Sequence, residues 1–318
     1  MRLSLKTTRM PFSHHSHSGQ FCGHAADTLE EVVQTAISKG MTTFCLTEHM
    51  GRGKEDFYPE EASHHTEASL AKLYDDFYTE ARRLQQQYAA QIQILVGFEG
   101  EWIRESSLGL IHALLKKHAV DFFVGSVHHV YTVPIDYDTA LYHKARDLGD
   151  GTDEQIFADY FDAQFSMLQA LRPPLVGHFD LIRLKSDDPE RSFRTWPSIW
   201  DKIERNLQFI AGYGGVLELN SSALRKGMSE PYPQVEICKR FLEMGGRFAL
   251  SDDSHGVEQV GLNYQRVLEA VKKAGIEELV FLAPVGNGDV GPLDERFEHV
   301  GWVSVSVADL EGHKFWTS

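Results

Sequence analysis

Amphipathic helical stretches alternate with short apolar runs along almost the whole chain. Leu29, Val32, Val33, Ala36 and Ile37 fall on one helical face, with Asp27 and Thr28 as caps, Glu30 and Glu31 in the first turn and Gly40 as a stop. The strand-forming run 43–47 follows at once. Leu70, Leu73, Phe77, Ala81 and Leu84 then predict a helix before a strand at 92–96, and Leu108, Ile111, Leu114 and Leu115 one before 122–127. The same pairing recurs ahead of strands at 175–177, 215–219, 248–250 and 279–282. Such alternation predicts an α/β chain of parallel βα units, and seven or eight of them predict a closed, TIM-like (βα)7-8 barrel rather than an open sheet. With no Pro/Gly/Ser-rich linker and no repeat, residues 1–318 are expected to form a single domain. Residues 50–69 and 131–153 exceed ordinary loop lengths and are expected to serve as lids or binding loops; 284–292 is a further irregular stretch before an apolar alternation at 302–307.

Composition narrows the function. With 31 basic against 46 acidic residues the formal charge is −15, a field that repels polymeric nucleic acid and anionic membranes alike. Cys22, Cys45 and Cys238 contain no CxxC pair, which argues against a disulfide framework or a cysteine zinc finger and points to a reducing, cytoplasmic setting. No run approaches the ~18 apolar residues of a membrane span. Residues 1–26 lack acidic side chains and carry Arg2, Lys6 and Arg9, as a transit peptide can, but cleavage would have to stop before His14.

Sixteen histidines exceed what packing or solubility asks for, and imidazole is the commonest metal ligand. His15 and His17 form an H-x-H pair at the end of a first strand, an alternation that places both rings on one side of extended backbone. Taken alone, a histidine-rich N-terminus also fits a tag or a solvated tail. His49, Glu99 with Glu101, His128 with His129, His178, and Asp252-Asp253-Ser254-His255 follow further predicted strands. In a parallel barrel all strand C-termini open on one face, so these groups would converge as a cluster of hard and borderline metal ligands. His14, Glu101, His129 and Asp252 stand beside stronger candidates and fit supporting or loop roles equally well. His64, His65, His112, His118, His143, His299 and His313 read as surface or helix-face residues.

In order and context, His15-Ser16-His17, His24 within Phe21-Cys22-Gly23-His24-Ala25, Thr47-Glu48-His49, Gly97-Phe98-Glu99, Ser126-Val127-His128, Gly177-His178 and Asp253-Ser254-His255 resemble the motifs of the PHP (polymerase and histidinol phosphatase) superfamily, over residues 11–262. The opening stretch through His49, with the segment 217–226, is similar to the histidinol-phosphatase branch of fungal histidine biosynthesis. The resemblance implies a distorted barrel holding three ions, zinc, iron or manganese. It implies His15, His17, Glu99 and Asp253 on the first, Glu99 bridging to a second on His128 and His178, and His24, His49 and His255 on the third. Residues 1–10 precede the family's usual start, and Met10 fits the initiator.

The implied chemistry is hydrolysis of a small phosphomonoester, histidinol phosphate plus water giving histidinol and phosphate. Metal ions lower the pKa of water, hold phosphoryl oxygens and neutralise developing charge. The resemblance also points to arginines in the segments of Arg183 and Arg225, which would clamp phosphate as guanidinium forks do; the plain alternative is an ordinary salt bridge. Asp253 or His255 is expected to supply the proton to the leaving alkoxide, and the 50–69 segment the groups that recognise imidazole and amine. Competing readings are a phosphatase of the same ligand set acting on nucleotides or phosphotyrosine, a nuclease or proofreading module, which the charge and single domain disfavour, and a non-catalytic metal-binding protein.

Overall fold

The computed structural model describes residues 11–286, 290–313 and 315, so the proposed extension 1–10 and part of the stretch 284–292 lie outside the described residues. In chain order the elements are β1 (Phe12–Ser13), α1 (Leu29–Ser38), β2 (Thr43–Leu46), α2 (Pro59–His64), α3 (Glu67–Gln87), β3 (Gln93–Val96), β4 (Glu99–Glu101), α4 (Ser107–Lys117) and β5 (Val124–Ser126). Then come β6 (His129–Val130), β7 (Val133–Pro134), α5 (Thr139–Leu148), α6 (Asp153–Leu171), β8 (Leu175–Val176), α7 (Pro197–Tyr213), β9 (Val216–Asn220), α8 (Ser222–Arg225), α9 (Val235–Glu243) and β10 (Arg247–Ser251). The chain ends in α10 (Tyr264–Ala274), β11 (Glu278–Pro284), β12 (Val300–Ser306) and α11 (Val307–Glu311).

Local chemistry explains the boundaries. Thr28 and Glu31 close a reciprocal capping box on α1, whose Leu29, Val32, Val33 and Ala36 are buried. Pro197 opens α7 where its missing N–H is harmless, and Gly214 ends it at φ 78°.

The strands form two parallel sheets, β1-β2-β3 and β10-β9-β8-β5-β4. Backbone hydrogen bonds join them at both edges. The N–H of Glu99 donates to Glu48 O (3.0 Å) and that of Met50 to Glu99 O (3.2 Å); on the other side His14 N–H donates to Leu250 O (3.2 Å) and His17 N–H to Ser254 O (2.7 Å). Strands β3 and β4 run on from one another through Gly97, where a Cβ would sit 2.6 Å from the carbonyl oxygen of Phe122, so only glycine lets the ladder pass. Strand side chains on the two sheet faces, among them Phe44, Leu95, Val124, Val176, Leu217 and Leu250, are buried in the hydrophobic core.

Two expectations need correction. The predicted strand at 279–282 extends no parallel ladder: β11 pairs antiparallel with β12, because the apolar alternation at 302–307 offers it a partner strand. Nor are the long segments structureless. Residues 50–69 carry the 3-10 turn Lys54–Asp56, α2 and the start of α3, and 131–153 carries part of the β6–β7 hairpin and α5. Among the described residues, no helix is long and apolar enough to cross a membrane.

Candidate metal centre

Consecutive histidines after β1 face opposite ways. His14 turns from the strand ends: its Nδ1–H donates to Leu250 O (3.0 Å) and its Nε2 accepts the N–H of Leu282 (3.1 Å). Burial pushes its pKa down to about 4, so it is a neutral, satisfied structural residue. His15 and His17 turn toward the strand-end face. The Nδ1–H of His15 donates to Glu218 (3.1 Å) and that of His17 to Glu48 (3.3 Å), which leaves each Nε2 pointing inward, buried and without a hydrogen-bond partner. A carboxylate behind a ligating imidazole fixes ring and tautomer in this way at metal sites.

Glu99, the first residue of β4, stands between two histidine pairs. Its Oε2 lies 3.4 Å from His15 Nε2 and 3.6 Å from His17 Nε2. Its Oε1 lies 3.0 Å from His178 Nε2 and 3.3 Å from His128 Nε2, and those two ring nitrogens are 3.0 Å apart. Asp253 brings Oδ1 to 3.5 Å from His17 Nε2 while its Oδ2 is held by Ser222 Oγ (3.1 Å) and Asn220 Nδ2 (3.3 Å). The backbone at Asp253 adopts φ 48°, in the left-handed region that aspartate and asparagine tolerate better than other residues with a Cβ. A further group brings a donor atom each from His24, His49, His255 and Cys22 within 4.8 Å of one another. The ligand-type residues thus fall into overlapping groups around Glu99 and Asp253 and a third beside them.

The electrostatics agree. Burial works to raise the carboxyl of Glu99, but His15, His128 and His49 hold it well below the usual carboxylate range. Asp253 is likewise held low against burial, by His15, His255 and Lys226. Burial works against a charged His15, yet Glu99, Glu218 and Asp253 raise it well above an ordinary histidine. Behind them, burial pushes the Glu48 carboxyl up to about 7 and that of Asp252 up to about 6. Asp252 faces away from the centre and accepts the N–H groups of Ser254 (3.1 Å) and Gly261 (2.7 Å), so it shapes the loop that presents Asp253. Glu101 accepts from Arg52 (3.1 Å) and approaches Nδ1 of His128 (3.3 Å) and of His49 (3.4 Å), a supporting position. His129 packs against the ring of Tyr58 and joins no ligand group.

Buried imidazole nitrogens that face a shared carboxylate without hydrogen bonds are costly by themselves, and cations at those points would satisfy them. The donor set of imidazole and carboxylate suits zinc, iron or manganese. The residues present therefore fit a metal centre.

A cavity of about 300 Å³ opens over this centre, lined also by Arg225, Lys226, Tyr58, Glu60, Asp136 and Tyr137. A larger one of about 580 Å³ lies behind Arg52, against α3 and α4, but gathers no ligand cluster; the chemistry lies over the smaller. Arg225 donates through Nη2 to Asp253 O (3.1 Å), and its buried Nε has no partner. Arg183, expected to clamp phosphate, does not line the cavity. Its guanidinium is buried over the Tyr232 ring and bonded to Asp180 (3.0 Å), Pro189 O (3.3 Å), Glu230 O (3.0 Å) and Pro231 O (2.8 Å), so its donors are already engaged by protein.

Sequence reasoning missed the supporting roles of Glu218 and Glu48 and the nearness of Lys226 and Cys22. A signal existed for Glu218: an acidic residue inside the apolar run of β9, two places from Asn220 and therefore on its face.

Residues 13–222 match the PHP domain family. The chain belongs to that family. It is 46% identical over 285 residues to the "Probable histidinol-phosphatase" of Schizosaccharomyces pombe, covering 88% of this chain and 93% of that one. It is 37% identical over 288 residues to the histidinol-phosphatase of Saccharomyces cerevisiae, covering 80% and 86%. Among solved structures, the Lactococcus lactis histidinol phosphate phosphatase complexed with zinc, L-histidinol and phosphate shares the fold, with a TM-score of 0.64 at 21% identity over 85% of this chain and 95% of that one. Within the family the chain groups with the histidinol-phosphatases.

Proposed function

We propose that this chain is a metal-dependent phosphomonoester hydrolase that converts histidinol phosphate and water to histidinol and phosphate. The observation that carries the chemistry is Glu99, whose two oxygens face separate pairs of histidine nitrogens. The substrate is supported by the fungal relatives and by the Lactococcus lactis protein, whose complex holds L-histidinol and phosphate.

In this reading the hydrogen bonds at both sheet edges close one distorted seven-strand barrel, a single domain, with its centre at the strand ends. His15, His17, Glu99 and Asp253 hold a first ion, Glu99, His128 and His178 a second, and His24, His49 and His255 a third, each zinc, iron or manganese. Bound ions would supply an activated water and neutralise phosphoryl charge. Arg225 and Lys226 bring positive charge to the phosphate side of the cavity. Glu60 and Asp136 offer charge to an amine, and the stacked rings of Tyr58 and Tyr137, 5.9 Å apart, a surface for imidazole. Asp253 and His255 both line the cavity, and to one of them we assign delivery of a proton to the leaving alkoxide. The free, buried cysteines and the absence of a membrane-length helix among the described residues accord with a cytoplasmic enzyme acting on a small molecule.

The test is elemental analysis of the purified chain together with phosphate release from L-histidinol phosphate, nucleotides and aryl phosphates. Two or more equivalents of transition metal with preference for histidinol phosphate are expected. Metal with activity only on other esters would discard the substrate, and a metal-free, active protein would discard the mechanism.

A further inference from the structure

Of the three cysteines, Cys45 lies in β2 and Cys238 in α9, both packed in the hydrophobic core. Cys22 is different. It sits in the loop after the H-x-H pair, where Phe21 and Cys22 N–H both donate to Ser18 O (3.1 and 2.9 Å) and Ala26 N–H donates to His255 O (2.7 Å). Those bonds pin a C-x-H segment, Cys22-Gly23-His24, against the loop that carries His255.

The Sγ of Cys22 is 3.3 Å from Nε2 of His24 and 3.5 Å from its Nδ1. The other rings present free edges to the same point. His255 spends its Nδ1–H on the carbonyl oxygen of Asp253 (2.9 Å), and the Nδ1 of His49 faces Glu99 (3.0 Å) while its buried Nε2 has no hydrogen-bond partner. Ligand atoms of a tetrahedral zinc, with Zn–S near 2.3 Å and Zn–N near 2.0–2.1 Å, stand ~3.6 Å apart for an S···N pair, close to the separations seen here.

We propose that Cys22 is a thiolate ligand that completes a four-coordinate Cys-His₃ site for the third ion with His24, His49 and His255, and that this sulfur makes the site selective for a soft cation such as zinc over manganese. The inference rests on the three-ion reading above and adds a ligand to it. As the ion binds, the thiol proton passes to solvent and the sulfur pair forms the metal bond, with no change of oxidation state. A four-ligand shell also sets this ion apart from the second one, to which the reading above gives only Glu99, His128 and His178 and which would keep a position for water or substrate.

Cobalt(II) reports the ligand directly. The full chain, stripped of metal and reloaded with Co²⁺, is expected to show a sulfur-to-cobalt charge-transfer band in the near ultraviolet alongside the ligand-field bands of the nitrogen and oxygen sites. In Cys22→Ser the charge-transfer band is lost while ligand-field bands persist, the affinity for one zinc equivalent falls at least about tenfold, and manganese enters that position more readily. Cys45→Ser keeps the band. Cobalt bound by the wild-type chain without the charge-transfer band overturns the thiolate ligand and leaves the three-ion reading standing, an outcome read on the wild-type chain alone. A band that survives in Cys22→Ser overturns it too. No cobalt bound at all overturns both.

Discussion

Glu218 accepts the Nδ1–H of His15 at 3.1 Å and turns the ring so that Nε2 faces Glu99. The other oxygen of the same carboxylate accepts the backbone N–H of His178 (2.6 Å), so one buried side chain of β9 fixes a residue in each of two ligand groups. Glu218→Gln keeps the shape and removes the charge. A loss of metal affinity of ~10–100-fold is expected, with little change in fold, since groups behind the ligands commonly contribute that much. Metal titration with circular dichroism as the control measures it; unchanged affinity would show that Glu218 only packs.

Glu99→Gln should be the most damaging single substitution. It takes the negative charge from between both histidine pairs, and an effect of ~4 kcal/mol on the barrier is about a thousandfold in rate. Turnover within tenfold of wild type would remove Glu99 from the bridging position.

Arg225→Ala is expected to lower kcat/KM by ~10–100-fold, the scale of one lost charge-assisted hydrogen bond, with metal content intact. Loss of metal together with activity would instead assign Arg225 to holding Asp253, whose carbonyl oxygen accepts from it.

Arg183→Ala should act on stability. The arginine and Asp180 are both buried, and removing one partner of such a pair costs ~3–5 kcal/mol because the other charge is left alone. Thermal unfolding should shift down markedly while KM of the folded enzyme stays near its normal value. A large rise in KM with normal stability would restore Arg183 to phosphate binding.

Chelation should destabilise as well as inactivate. Ions that bind only the folded chain at a thousandfold excess over Kd stabilise it by ~4 kcal/mol, so exhaustive chelation should lower Tm along with activity, and both should return on adding metal. Lost activity at constant Tm would mean that ions do not support the fold.

The helices and strands that could be read from periodicity are those whose apolar faces pack locally, as Leu70, Phe77, Ala81 and Leu84 do in α3. The ligand residues were legible for a related reason: parallel strands place their C-terminal residues together whatever the loops do. What escaped depends on partners distant in sequence. Nothing local to 279–282 says that it pairs with β12 and donates a backbone N–H to His14. Arg183 looks like a phosphate clamp until the carbonyl oxygens of Glu230 and Pro231, supplied by another segment, occupy it. Asp252 and Asp253 are equivalent as letters, and the positive φ of Asp253 separates them only in three dimensions.

The bridge between Ser16 and Ser254 ties the beginning of the chain to a segment near its end. A ribosome working at ~5–20 residues per second would expose His15 and His17 roughly 10–50 s before Asp253 and His255 exist. During that interval the nascent chain carries imidazoles without the carboxylate and backbone that later confine them. The centre thus cannot close before Asp253 and His255 have been made, and a chain cut short before Asp253 would emerge unable to complete it.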